Sequence, residues 1–221
     1  MIRLIDLHKG LGRGGARKVI ARGIDALFPS GRSVALLGRN GAGKSSLLKI
    51  IAGTMASDRG HVLRRGSVSW PVGFAGSFHP DLTGAQNVRF VARVYGVDTD
   101  ELIAFVGAFS ELGAHLHRPF RGYSAGMRAR LAFGTSMGIR FDTYLVDEVT
   151  SVGDAAFRQK SREVFAERMA RSGAIVVSHN MEALRGMCDA GAVLENGRLE
   201  YFDDLEAAIT RYGALMRNGQ P

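Results

Sequence analysis

An α/β fold with a mostly parallel core sheet, an antiparallel β part at its N-terminus and an inserted helical lobe is what this sequence predicts, on three observations. Short runs that are apolar on both alternations recur along it, at Ser33–Leu37, Tyr144–Val146, Ala174–Val177 and Ala192–Leu194. Runs of that kind belong to strands buried on both faces, as in a parallel sheet. Helix-like stretches separate them, at Ser45–Ala52, Ala155–Ala170 and Met181–Met187, and the βα alternation argues an α/β architecture. Between about Phe78 and Gly138 the pattern changes. There Asn87–Val94 and Leu102–Val106 carry helical spacing and strand signals are absent, so this stretch reads as a helical lobe. Ile2–Phe28 reads instead as antiparallel strands, and a last helical stretch covers Leu205–Met216. With no repeat, heptad or low-complexity tract, residues 1–221 are expected to form a single domain with the lobe at about 78–138.

Composition bounds the function more loosely. At 46% hydrophobic residues the 221-residue chain can bury a proper core. No apolar run approaches the roughly 20 residues that span a bilayer, and the N-terminus lacks the pattern of a secretory signal. A cytosolic place, or one on a cytosolic surface, is expected. The single cysteine, Cys188, excludes an internal disulfide and a thiolate metal cluster, and reads as a small buried apolar side chain near a helix end. The net charge of +8 fits nucleic acid, an anionic membrane surface or a polyphosphate substrate. Its basic residues are scattered and mostly arginine, without a lysine-rich tail or interleaved aromatics. Charge alone decides nothing.

The chemistry begins after the strand Ser33–Leu37. Gly38, Arg39, Asn40, Gly41, Ala42, Gly43, Lys44 and Ser45 satisfy G-x-x-x-x-G-K-[ST] between a strand and a helix. Gly38, Gly41 and Gly43 let the backbone curl with its N–H groups inward, where a Cβ would intrude. The helix that follows adds its partial positive charge. Lys44 supplies a point charge for the β- and γ-phosphates, the Ser45 hydroxyl a ligand for Mg²⁺, and Ser46 a further phosphate contact. An ATP-type site with Mg²⁺ follows. A second apolar strand ends in Asp147 and Glu148. Asp147 is placed to hold Mg²⁺, directly or through water, and Glu148 to polarise an attacking water.

Between these two sites lies Tyr123-Ser-Ala-Gly-Met127, followed by a helix-like run, Arg128–Ser136. The pentapeptide resembles the signature motif of ABC-type ATPases, whose common form is LSGGQ, with Ser124 at the signature serine and Gly126 at its second glycine. Tyr123, Ala125 and Met127 depart from that form. A small residue and a glycine at a helix N-terminus still let backbone N–H groups approach phosphate, and Ser124 equally suits a helix N-cap. Ser151–Asp154 resembles the D-loop, with Asp154 in its aspartate position. His179, after the strand Ala174–Val177, resembles the switch histidine that contacts γ-phosphate.

The resemblance covers nearly the whole chain. It implies a P-loop NTPase cassette of ABC type that pairs head to tail with a second copy of itself, sandwiching two Mg·ATP between Lys44 and Ser45 of one chain and Ser124, Ala125 and Gly126 of the other. It narrows over Trp70–Gly84, Asn87–Phe90 and Val94–Gly96, which are similar to ATPase subunits of bacterial polysaccharide exporters, most of all those for capsular polysaccharide. The O-antigen and teichoic-acid exporters, the alternative, often carry an added C-terminal domain; the chain stops soon after Leu205–Met216, which favours the capsule subclass. Implied partners are an integral membrane permease, docked over Phe74–Gly96, and through it periplasm-spanning export components. The implied location is the cytoplasmic face of the inner membrane, and no nucleic acid is expected. A soluble ABC ATPase acting on DNA or ribosomes would carry coiled-coil insertions or a second cassette. A non-catalytic regulator would lack Glu148 or His179. Two departures stand out: Val72–Phe78 holds no Q-loop glutamine, Gln86 lying too far on, and the region near Leu11 offers no ring to stack on adenine.

Overall fold

The computed structural model describes residues 1–12, 18–74, 76, 78–147 and 155–218. These form two units by their contacts, one of Met1–Pro71, Phe141–Glu148 and Arg171–Pro221, the other of Val72–Arg140 and Val149–Ala170.

The first unit is built on two sheets. Strands β1 (Ile2–Leu11), β2 (Lys18–Phe28) and β4 (Arg59–Arg64) form an antiparallel sheet in the order β2-β1-β4. Strands β3 (Ser33–Leu37), β5 (Val68–Pro71), β6 (Thr143–Asp147), β7 (Gly173–Val177), β8 (Ala190–Glu195) and β9 (Arg198–Phe202) form the second, in the order β5-β6-β7-β3-β8-β9. All its neighbours are parallel except β8 and β9, joined as a hairpin. The doubly apolar runs account for this: every residue of β3 and of β7 is buried. One apolar core joins Ile2, Leu4, Leu7, Ile24 and Phe28 of the antiparallel strands to Leu36, Leu145, Ile175 and Leu194 of the parallel ones. Helix α1 (Lys44–Ala52) contributes Leu47, Leu48 and Ile51 to it. Its last turn is tied down by Arg64, which donates to the carbonyls of Ile51 at 2.6 Å and Ile50 at 3.0 Å. Burial beside helix α6 (Met181–Arg185) pushes the Cys188 thiol up to about 12, the inert apolar side chain expected of it.

The sequence reading missed β4, β5 and β9. β4 is largely polar and solvent-facing, with Val62 packed on the core. β5 is a four-residue strand at the sheet's edge, where its Pro71 removes no needed hydrogen bond.

The second unit is helical: α2 (Gly84–Tyr95), α3 (Thr99–Ser110), α4 (Ala125–Gly138) and α5 (Ala155–Met169), with 3₁₀ turns at Gly113–His117 and Phe120–Gly122. Phe109 is its hub, with ring centroids 5.2 Å from Phe157, 5.7 Å from Phe133 and 5.9 Å from Phe105. Local chemistry starts each of the first two helices and α4. Thr83 and Gln86 form a reciprocal capping box on α2, Asp98 caps α3 and Ser124 caps α4. Gln86, set aside above as a Q-loop residue, thus serves the fold, and its side chain accepts from the Thr83 N–H at 2.8 Å. The remaining helix, α7 (Leu205–Asn218), belongs to the first unit. Among the described residues no helix is long and apolar enough to cross a membrane.

Candidate functional site

The parallel strands β6, β7 and β3 lie side by side, and the segments that follow them gather at their carboxyl ends, where ligands bind in open α/β sheets. After β3 comes the glycine loop. Gly38 is buried against β8, and a Cβ there would stand 2.5 Å from the Leu194 carbonyl oxygen, so no larger residue fits. Gly43, at φ 107, is the cap of α1, and a Cβ on it would meet Ile20 of β2 at 2.8 Å. The loop closes on itself through Ala42 N–H donating to the Arg39 carbonyl at 3.0 Å. No side chain caps α1 and its first turn carries no acid, so its leading N–H groups and positive end remain available to an anion.

Lys44 is 9% exposed, and its ammonium donates to the carbonyls of Gly38 at 2.7 Å and Arg39 at 3.2 Å. That geometry pins the charge across the mouth of the loop. Ser45 is exposed and Ser46 half-buried, while Arg39, Asn40 and Gly41 face solvent. Asp147 ends β6 opposite Val177 of β7, and His179 follows two residues after that strand ends.

A cavity of about 370 Å³ brings these groups together. It is lined by the loop residues Asn40, Gly41, Gly43, Lys44, Ser45 and Ser46 and by Asp147, Val177 and His179, and the antiparallel sheet supplies its remaining wall through Leu11, Lys18 and Ile20. Of the residues picked out from sequence, Gly38, Arg39 and Ala42 shape the loop without lining this space. Of the sheet wall, the region near Leu11 was expected beside the base, while Lys18 and Ile20 were missed. Nothing local to Lys18 or Ile20 signals a site, since they arrive by the antiparallel pairing of β2 with β1, Lys18 opposite Leu11. The donor set fits both implied groups: a glycine cradle with a lysine for a phosphate chain, a hydroxyl and a carboxylate, Ser45 and Asp147, for a hard cation.

The second unit carries the other predicted residues. Ser124 Oγ accepts from the Met127 N–H at 3.2 Å, and Ser124, Ala125 and Gly126 are all exposed at the tip of α4. A Cβ built on Gly126 would find Ser124 Oγ as its nearest neighbour, 4.0 Å away. The unit's own packing therefore does not require glycine there. Tyr123, in contrast, is 4% exposed and donates from its hydroxyl to the His115 carbonyl at 2.6 Å, burial raising its pKa. Glu148 and Asp154 lie outside the described residues.

Comparison with known proteins follows the same lines. The model of the ABC transporter family matches residues 21–151. The polysialic acid transport ATP-binding protein KpsT of Escherichia coli is 43% identical over 215 residues, 96% of each chain. The capsule polysaccharide export ATP-binding protein CtrD of Neisseria meningitidis serogroup B is 44% identical over 199 residues, 90% of this chain and 92% of that one. Among solved structures, the ATP-binding cassette MJ0796, a post-hydrolysis dimer bound to ADP and Pi, superposes with a TM-score of 0.73 over 93% of this chain and 99% of its own; at 18% identity the likeness is one of fold. A matched family model over more than half its length and full-length relatives above 40% identity place the chain in one family: it belongs to the ABC transporters.

Proposed function

We propose that this chain is the ATP-hydrolysing subunit of an exporter of capsular polysaccharide, bound to the cytoplasmic face of the inner membrane through an integral permease. The observation that carries the chemistry is the cavity in which the glycine loop, Lys44, Ser45, Asp147 and His179 meet. The polymer is argued from the capsule-export relatives, which match along nearly the whole chain.

ATP's phosphate chain lies in the loop from Gly38 to Ser46, held by the backbone N–H groups of Asn40, Gly41 and Gly43 and by the open end of α1. Lys44 moves its ammonium from the carbonyls of Gly38 and Arg39 to the β- and γ-phosphates. Ser45 and Asp147 hold Mg²⁺, which neutralises charge on the phosphates when bound. Glu148 takes the proton of the attacking water, and His179 steadies the γ-phosphate.

The site is completed by a second copy of the chain. The exposed Ser124, Ala125 and Gly126 present backbone N–H groups to the γ-phosphate held by the partner copy, and Asp154 shapes the seam between the two. An open space around Gly126 supports this, because a glycine that its own unit does not require is explained by close approach from outside. Loss of phosphate removes the bridge and lets the pair reopen. The permease docks on the solvent-facing side of α2, where Phe90, Val94 and Tyr95 are 56%, 61% and 40% exposed.

The test uses Glu148→Gln. The variant is expected to bind ATP and dimerise by size exclusion while turning over about 100-fold more slowly; turnover near wild type would remove Glu148 from its role. In a capsulated host lacking its own export ATPase, wild type is expected to restore surface polymer and the variant to leave it inside. Restoration by the variant, or by neither, would overturn the reading.

A further inference from the structure

Two helices of the second unit end without the residues that usually close a helix. Neither α3 nor α4 carries a basic residue in its last turn, and neither is followed by glycine: Glu111, held at φ 55, follows α3, and Ile139, extended, follows α4. The last carbonyls of a helix have no partner within it and carry its partial negative charge. Here a third helix supplies the cations. Lys160 of α5 donates from its ammonium to the carbonyls of Ala108 at 3.0 Å and Phe109 at 3.2 Å, at the end of α3. Arg168, about two turns further along α5 and so on the same face, donates from Nε to the carbonyl of Met137 at 2.9 Å, at the end of α4. Glu111 joins the parts, accepting from Lys160 at 2.8 Å and from Arg130 of α4 at 3.4 Å. The Arg130 guanidinium in turn lies over the Phe157 ring of α5, 4.3 Å from its centroid. The side chains of Arg130 and Arg168 are only 19% and 14% exposed, which leaves little water to screen these contacts.

The places of these helices in the chain give the attachment its consequence. Asp154 directly precedes α5, and the exposed tip of Ser124, Ala125 and Gly126 opens α4. Both belong to the seam with the second copy. We propose that Lys160 and Arg168 are positioning residues, which lock the helix behind Asp154 to the helix behind the signature tip so that both elements meet the partner copy in one fixed relation. The inference rests on the shared-site reading and goes beyond it by naming what aligns the two elements.

The experiment measures dimerisation of the full chain carrying Glu148→Gln, by sedimentation equilibrium in saturating ATP and Mg²⁺. Binding of a fluorescent ATP analogue is measured beside it, at chain concentrations too low to dimerise. Adding Lys160→Met, which keeps the aliphatic stem and removes the ammonium, should weaken the dimer about tenfold, because contacts that are no longer preorganised must be ordered on association. Nucleotide binding should stay within about threefold of the parent, since the glycine loop belongs to the first unit. Lys160→Arg should restore the dimer, its guanidinium donating to the same carbonyls. Arg168→Met should weaken the dimer in the same direction and decides the matter alone where Lys160→Met does not fold. Dimerisation is read well below each melting transition, where a less stable chain is still folded and a loss of stability alone leaves the dimer constant unmoved. Variants that melt lower yet dimerise as tightly as the parent, or a weakening that Lys160→Arg does not relieve, would overturn the inference and leave the shared site standing. A Glu148→Gln parent that stays monomeric in ATP would overturn both.

Discussion

Replacing Gly126 by alanine separates what the fold needs from what the reaction needs. Gly126 is the second residue of α4, with an added Cβ no nearer than 4.0 Å to any heavy atom beyond its chain neighbours and its own helix backbone. Alanine is favoured over glycine by up to about 1 kcal/mol in a helix interior, and about half of that is a fair share for the first turn. The nucleotide-free chain should therefore be stabilised by about 0.5 kcal/mol, which for a chain of this size raises its melting temperature by about 1–2 °C. Catalysis should move the other way. A methyl group at this position keeps a facing phosphate out of hydrogen-bond range of the helix N–H groups, and loss of such a donor costs about 100-fold in turnover. Scanning fluorimetry without nucleotide and steady-state phosphate release read the two effects. Ser124→Ala is less informative, because Ser124 caps α4 and its loss destabilises the helix by about 1 kcal/mol whatever else it does. A lower melting temperature for Gly126→Ala would show that the glycine serves its own unit. Unchanged turnover would show that nothing approaches α4 during the reaction. Either result refutes the argument for a shared site.

Two further outcomes follow from the second unit's α2 entry and from the edge of the parallel sheet. Asn87 is 1% exposed and organises the turn before α2, accepting from the His79 N–H at 2.7 Å and donating to the carbonyls of His79, Leu82 and Thr83 at 3.1, 3.3 and 3.1 Å. Asn87→Ala strands those groups and should cost about 2–4 kcal/mol in urea denaturation; a loss under about 0.5 kcal/mol would show the turn holding itself. Asp142 accepts from the Ser67 N–H at 2.7 Å and from its hydroxyl at 2.9 Å, the backbone bond first and the hydroxyl second holding its carboxyl below the ordinary 3.8. A depressed folded pKa stabilises at pH above 3.8 and loses that contribution as pH falls through the folded value. Asp142→Asn should thus be less stable than wild type at neutral pH by a constant margin that narrows as the medium is acidified below that point; a margin independent of pH would refute the linkage.

The parts of the site legible in sequence are those made by short-range chemistry. Gly38–Ser45 could be placed because its flanking strand is apolar on both faces and its helix begins at the lysine. Asp147 and His179 could be placed because each follows a similarly buried strand, and parallel order then brings their ends together. The wall was legible only near Leu11, and the rest of it was illegible for the converse reason. Leu11, Lys18 and Ile20 reach the cavity by antiparallel pairing whose register shifts three times along β1, with Asp6 at φ 44 within the irregular stretch. No period-two pattern survives such bulges. β4 failed differently, its solvent face leaving too few apolar residues to announce a strand. Gln86 was rightly set aside as a Q-loop residue, and a threonine three residues earlier makes it half of a capping box.

The signature tip shows why its departures from the common motif are compatible with binding phosphate. Tyr123, which stands where the motif it resembles has leucine, is buried, its hydroxyl bonded to the His115 carbonyl and filling the space that a Cβ on Gly84 would need. Arg128, one turn into α4, donates back to the carbonyls of Tyr123 at 3.1 Å and Arg121 at 3.0 Å and covers the Phe120 ring at 5.4 Å. The base of the tip is thereby held from α2, from the 3₁₀ turns and from α4 itself. Ser124, Ala125 and Gly126 project from that base exposed, with the hydroxyl of Ser124 engaged on Met127 and the space at Gly126 open. Preorganised N–H donors bind an anion better than mobile ones because their ordering has been met in folding. A larger, polar-tipped residue at 123 and a methyl at 125 leave that arrangement intact, since one points into the unit's core and the other adds no bulk at 126. Under the proposed shared site, the residue least free to change is Gly126, the one with nothing beside it.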